Sequence, residues 1–65
     1  MRVFLNDNII SAREKSRLSD LLFMHCKTEG NYAVAVNETF IPKHSYDRII
    51  NNNDRIDIII PMQGG

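Results

Sequence analysis

The chain has 65 residues, one small domain's worth, and a domain of that size buries only about 60% of its extended-chain surface. Eight basic and eight acidic residues leave no formal net charge, which excludes the basic surplus expected of a nucleic-acid binder. The single cysteine, Cys26, excludes an internal disulfide, so stability has to come from an apolar core, for which 43% hydrophobic residues suffice. Met1–Leu5 shows no signal-peptide pattern, and no apolar run approaches the length of a membrane span. These features predict a soluble cytoplasmic protein that binds no nucleic acid and no membrane.

Met1–Leu5 is apolar and β-prone, with Val3 and Leu5 on one face and Arg2 and Phe4 on the other. Asn6-Asp7-Asn8 has the residue types of a tight turn, and Ile9-Ile10 opens a second strand, so residues 1–12 read as a hairpin. Ser16 is a candidate helix N-cap. Leu18, Leu21, Leu22 and His25 then recur at i, i+3, i+4 and i+7, an amphipathic helix flanked by Met24 and Cys26 and closed near Gly30. Tyr32–Asn37 is a mostly apolar strand, which predicts an internal position in a sheet. Asn37-Glu38 is a turn, Thr39–Ile41 is a short strand stopped by Pro42, and Tyr46, Ile49 and Ile50 suggest a loose helical turn. Asn51–Asp54 is a loop in which Asn53 is the left-handed candidate.

The last strand, residues 55–60, places Ile56, Ile58 and Ile60 on one face and Asp57 and Ile59 on the other. Pro61 cannot donate to a ladder and marks the end of pairing. The expected domain is therefore residues 1–60, followed by a flexible tail, residues 61–65, that ends on Gly64-Gly65. The predicted fold is α+β, with a mixed four- or five-stranded sheet and one main helix packed on one face. If the first and last strands lie side by side in the centre they run parallel, which is the β-grasp arrangement.

The remaining residues with chemical potential have simpler explanations. Cys26 on the helix reads as a small core residue rather than a reactive thiol. His25 reads as a packed or half-exposed side chain, and no metal site is expected. The Asn51–Asn53 run reads as turn chemistry, and Lys43 with His44 as a solvated turn. Phe4 and Ile59 are different, because alternation turns both toward the sheet face opposite the helix. If the first and last strands are neighbours, these two are expected to lie together as a partner-docking patch.

Several stretches also carry a family resemblance: Val3-Phe4-Leu5-Asn6-Asp7, Leu18-Ser19-Asp20-Leu21-Leu22, Ala33-Val34-Ala35-Val36-Asn37, Ile41-Pro42-Lys43, Asn53-Asp54-Arg55-Ile56 and Pro61-Met62-Gln63-Gly64-Gly65. Over its whole length the chain resembles the ThiS-type sulfur carriers of thiamine thiazole biosynthesis, which are ubiquitin-like β-grasp proteins. Asn53 stands where that family usually has glycine, and Tyr46 lies about where an aromatic residue, often tryptophan, is common. The resemblance implies a carrier rather than an enzyme, monomeric on its own and with no bound cofactor. An E1-like adenylyltransferase of the ThiF type would use ATP to activate the Gly65 carboxylate. Sulfur from a cysteine-derived persulfide would convert it to a thiocarboxylate, and a thiazole synthase of the ThiG type would take that sulfur. Gly64 and Gln63 would thread the partner's channel, a task suited to glycine, which has no side chain to clash. A molybdopterin-type carrier, a ubiquitin-like modifier or an interaction module with an idle tail are the alternatives.

Overall fold

The computed structural model describes residues 1–25 and 32–60. In chain order it contains β1 (Arg2–Leu5), β2 (Asn8–Ser11), α1 (Leu18–His25), β3 (Ala33–Val36), β4 (Thr39–Ile41), a single 3-10 turn (Lys43–Ser45) and β5 (Arg55–Ile59). The strands form one five-stranded sheet in the order β2-β1-β5-β3-β4. β1 and β5 run parallel, and the other pairs are antiparallel. The first and last strands are thus neighbours, and β5 is the central strand.

Each hairpin closes on two left-handed residues, Asn6 (φ 47°) with Asp7 (φ 67°) and Asn37 (φ 51°) with Glu38 (φ 69°). Two consecutive positive φ values match the right-handed twist of the flanking strands. Asn and Asp tolerate this region; Glu does so at a cost of about 1–2 kcal/mol. Asn53 (φ 69°) is the left-handed residue of the loop before β5, as its type predicts.

Val3, Leu5, Val34, Val36 and Ile56 point inward from the sheet and meet Leu18, Leu21 and Leu22 of α1. Ile41 and Ile50 complete this core. The rest of the predicted stripe behaves differently. His25 is exposed, since an imidazole gains nothing from an apolar core without a partner. Ser16 is not the N-cap, because its hydroxyl donates to the Arg13 carbonyl (2.6 Å). The first helical amides are satisfied by backbone instead. Leu18 N–H donates to Arg48 O (2.9 Å) and Ser19 N–H to Tyr46 O (2.7 Å). The Asp20 carboxylate accepts from Arg17 N–H (2.9 Å), the carboxylate half of a capping box. Between β4 and β5 only Lys43–Ser45 is helical, and Ile49 is exposed while Ile50 is buried. The predicted helix end at Gly30, Cys26 itself, the exit at Pro61 and the tail, residues 61–65, lie outside the described residues.

Two substitutions test this account. Asp54 is only 8% exposed, and both its oxygens accept hydrogen bonds, Oδ1 from Asn37 Nδ2 (3.1 Å) and Oδ2 from Asn51 N–H (2.8 Å). Asp54→Asn turns one acceptor into a donor facing a donor and is expected to cost about 1–3 kcal/mol. Urea unfolding would show this as a lower midpoint with an unchanged slope; an unchanged midpoint would contradict it. Glu38→Gly removes the left-handed penalty and is expected to raise stability by about 1 kcal/mol, a gain of several degrees in Tm by calorimetry.

Candidate functional site

The site is organised by how β5 is held. Phe4 pairs with Arg55 and Leu5 with Ile56, after which β1 ends. Asn6 extends the pairing. Its N–H donates to Ile56 O (2.9 Å), and its side-chain Oδ1 accepts from Ile58 N–H (2.8 Å). A turn side chain thus replaces the missing strand for one more step. Asn37 does the same from the other flank. Its N–H donates to Arg55 O (2.7 Å), its Oδ1 accepts from Arg55 N–H (3.0 Å), and its Nδ2 reaches Asp54. The loop before β5 is tied to β1 through Asn53 N–H to Arg2 O (2.6 Å) and Arg2 N–H to Asn52 Oδ1 (2.8 Å). Both asparagines are left-handed turn residues whose side chains also bond β5, so the same residues serve the turn and the clamp.

Beyond the clamp the domain thins. On the inward face of β5, Ile56 is buried, Ile58 is half-buried and Ile60 is exposed. The central strand is therefore most firmly held at its start and least covered where the chain leaves it. The residues predicted to be modified or threaded, Gly65, Gly64 and Gln63, lie beyond that point and outside the described residues.

The face of the sheet opposite α1 is open. Phe4 and Ile59 both belong to it, yet they are not adjacent. Phe4 lies opposite Arg55, four residues before Ile59, which separates the two by roughly 13 Å along the strand. Alternation assigns a face, but only the register of the parallel pair sets how far apart two residues on that face lie. Phe4 neighbours Ile9 across the β1–β2 pair, with the Arg2 guanidinium 5.6 Å from its ring centroid. Ile59, 56% exposed, neighbours Ala33, and Phe40, 64% exposed, neighbours Ala35. The predicted single patch is therefore two apolar clusters, Phe4 with Ile9 and Ile59 with Ala33, Ala35 and Phe40. The charged pair of positions Arg55 and Asp57 on β5 runs between them. Arg55 forms an ion pair with Asp7 across the sheet end.

Ile9 and Phe40 join this face although the sequence alone does not single them out as a surface; the inward Ile10 and Ile41 next to them imply their direction. On the other side of the molecule Phe23 is 90% exposed and Met24 is also exposed, bordering an open groove of about 720 Å³ whose walls include Ala12, Arg13 and Asp20. Phe23 lies off the leucine stripe, so helical spacing assigns it to the outer side of α1. Among the described residues no three metal-ligating side chains converge, and no buried side-chain nitrogen or oxygen lacks a hydrogen bond.

A mixed five-stranded sheet with a central parallel pair of terminal strands and one covering helix is a β-grasp fold. It is also the fold of the thiamine biosynthesis protein ThiS from Geobacter metallireducens, whose crystal structure superposes with a TM-score of 0.82 at 17% sequence identity, covering 100% of both chains. The model of the ThiS family matches residues 1–65, and the chain belongs to that family. The comparison with curated proteins finds no match.

The clamp can be tested at one amide. Asn6→Gly keeps a residue suited to left-handed φ while removing the side-chain acceptor. Losing a hydrogen bond worth about 1 kcal/mol predicts roughly fivefold faster hydrogen exchange at Ile58 N–H, with Val3 N–H unaffected. Unchanged protection at Ile58 would contradict the clamp.

Proposed function

We propose that this protein is a sulfur carrier for thiazole formation in thiamine biosynthesis and that the Gly65 carboxylate is its working group. The observation that carries the proposal is the ThiS family match, which extends over the tail residues Gln63, Gly64 and Gly65 as well as the folded domain. The fold shared with the Geobacter protein supports it.

In this reading the carrier supplies an electrophile and a docking surface, and its partners supply catalysis. A carboxylate resists attack until one of its oxygens becomes a good leaving group. An adenylyltransferase of the ThiF type binds ATP and the carrier, and a Gly65 carboxylate oxygen attacks the α-phosphate, releasing pyrophosphate. The terminal sulfur of a cysteine-derived persulfide then attacks the acyl-adenylate and expels AMP, forming an acyl disulfide. A thiol then attacks the donor cysteine's own sulfur in that acyl disulfide, breaking the S–S bond, leaving a disulfide between thiol and cysteine and releasing the thiocarboxylate, whose sulfur passes to a thiazole synthase of the ThiG type. Gly64 and Gln63 thread the partner's channel, where the absence of a side chain at Gly64 removes a steric barrier. The two apolar clusters of the open face, with Phe4 and Ile59 among them, hold the partner while the tail is delivered.

Pyrophosphate exchange into ATP by a purified ThiF-type enzyme tests the activation step. The full chain is expected to support exchange and the chain lacking Gly65 to support none. Exchange with neither chain would overturn the proposal. Ile59→Asp places a charge in the larger apolar cluster and is expected to raise the KM for the carrier by tenfold or more at unchanged kcat, the pattern of lost uniform binding. An unchanged KM would remove Ile59 from the docking surface.

A further inference from the structure

Asp57 occupies a position that folding alone does not favour. Aspartate is depleted in strands, and Asp57 lies in the middle of β5, the central strand of the sheet. It is half-buried on the open face. Its cross-strand neighbour is Ala35, which offers no hydrogen-bonding side chain, and the next residue on the same face of β5 is Ile59. The nearest cation along the strand, Arg55, is engaged by Asp7. Among the described residues the Asp57 carboxylate has no hydrogen-bond or ion-pair partner. A β-branched residue here would suit a central strand better, and no intramolecular contact accounts for the carboxylate.

We infer that Asp57 is a specificity-determining residue that receives a cationic side chain, most suitably an arginine, from the adenylating partner docked on the open face. This rests on the carrier function proposed above. Charge complementarity and position set the choice of occupant. The half-buried carboxylate lies beside Ala35 and next along its face to Ile59, with Phe40 one strand further out, and a partner covering those apolar side chains would shield it from water. A charge buried without a counter-ion would oppose such docking, whereas a guanidinium placed against it makes the interface both favourable and selective. The planar guanidinium suits the carboxylate because it donates two parallel hydrogen bonds. Asp57 also lies two residues before Ile59 on the strand that leads toward the tail. A cation bound there fixes the partner's register along β5, and with it the distance from the docking surface to Gly65.

The test uses the full chain and a purified ThiF-type adenylyltransferase, with affinity measured by calorimetry and turnover by pyrophosphate exchange. Asp57→Asn is expected to weaken binding about 30-fold and to raise KM with kcat unchanged. Asp57→Lys is expected to weaken it further, and Asp57→Glu to restore most of the affinity. The wild-type affinity should fall with added salt, and the Asn variant should lose part of that dependence. The melting temperature of Asp57→Asn should equal or exceed that of the wild type, which separates lost recognition from lost folding. Wild-type exchange together with equal KM and salt dependence in the Asn and Lys variants would overturn the inference and leave the carrier function standing. Loss confined to the later synthase step would equally overturn the assignment to the adenylating partner. Absence of exchange with the wild type would overturn both proposals.

Discussion

The structure depends on fixing the start of one central strand. β5 is flanked by a parallel neighbour on one side and an antiparallel neighbour on the other, and its pairing with β1 spans only two residue pairs. Asparagines at left-handed hairpin positions hold both flanks. Asn6 carries the β1 ladder past the end of the strand, and Asn37 closes the other flank while orienting Asp54, the buried carboxylate that gathers the loop before β5. In a domain of this size a few hydrogen bonds of about 1 kcal/mol each are a substantial share of the net stability. The four stretches Val3–Asp7, Ala33–Asn37, Asn53–Ile56 and Leu18–Leu22 therefore converge physically. The first three build the clamp, and the last covers it with leucines.

The clamp bears on function because it is asymmetric. β5 is tightest at Arg55 and Ile56 and progressively less covered toward Ile60, so the strand is anchored chiefly at its start. The tail delivery proposed above would need a fixed origin of this kind. The open face adds two apolar clusters with a carboxylate between them, a surface that can specify which protein docks and in which orientation.

Much of the architecture was legible from local chemistry. Alternation located the strands and assigned Val3, Leu5 and Ile56 to the core. Asn and Asp at chain reversals located the turns, and the leucine spacing located the helix. The parts that escaped were non-local. Ser16 looked like a cap because the sequence does not show that the carbonyls of Tyr46 and Arg48 would reach the helix start. Phe4 and Ile59 looked adjacent because the register of a parallel pair is set by distant contacts rather than by alternation. Asn6 and Asn37 carry the residue type of tight turns, and their second role appears only when β5 lies beside them. The tail residues carry the chemical argument through family membership, not through packing.

The proposed function rests finally on the fate of one carboxylate. The direct measurement is an intact-mass spectrum of the full chain after incubation with a ThiF-type adenylyltransferase, ATP and a persulfide donor, followed by fragmentation to locate the change. A mass increase equal to replacing one oxygen by sulfur, confined to Gly65, is the predicted result. An unchanged mass with an adenylyltransferase shown to be active, or attachment of Gly65 to lysines of other proteins in place of sulfur, would contradict it.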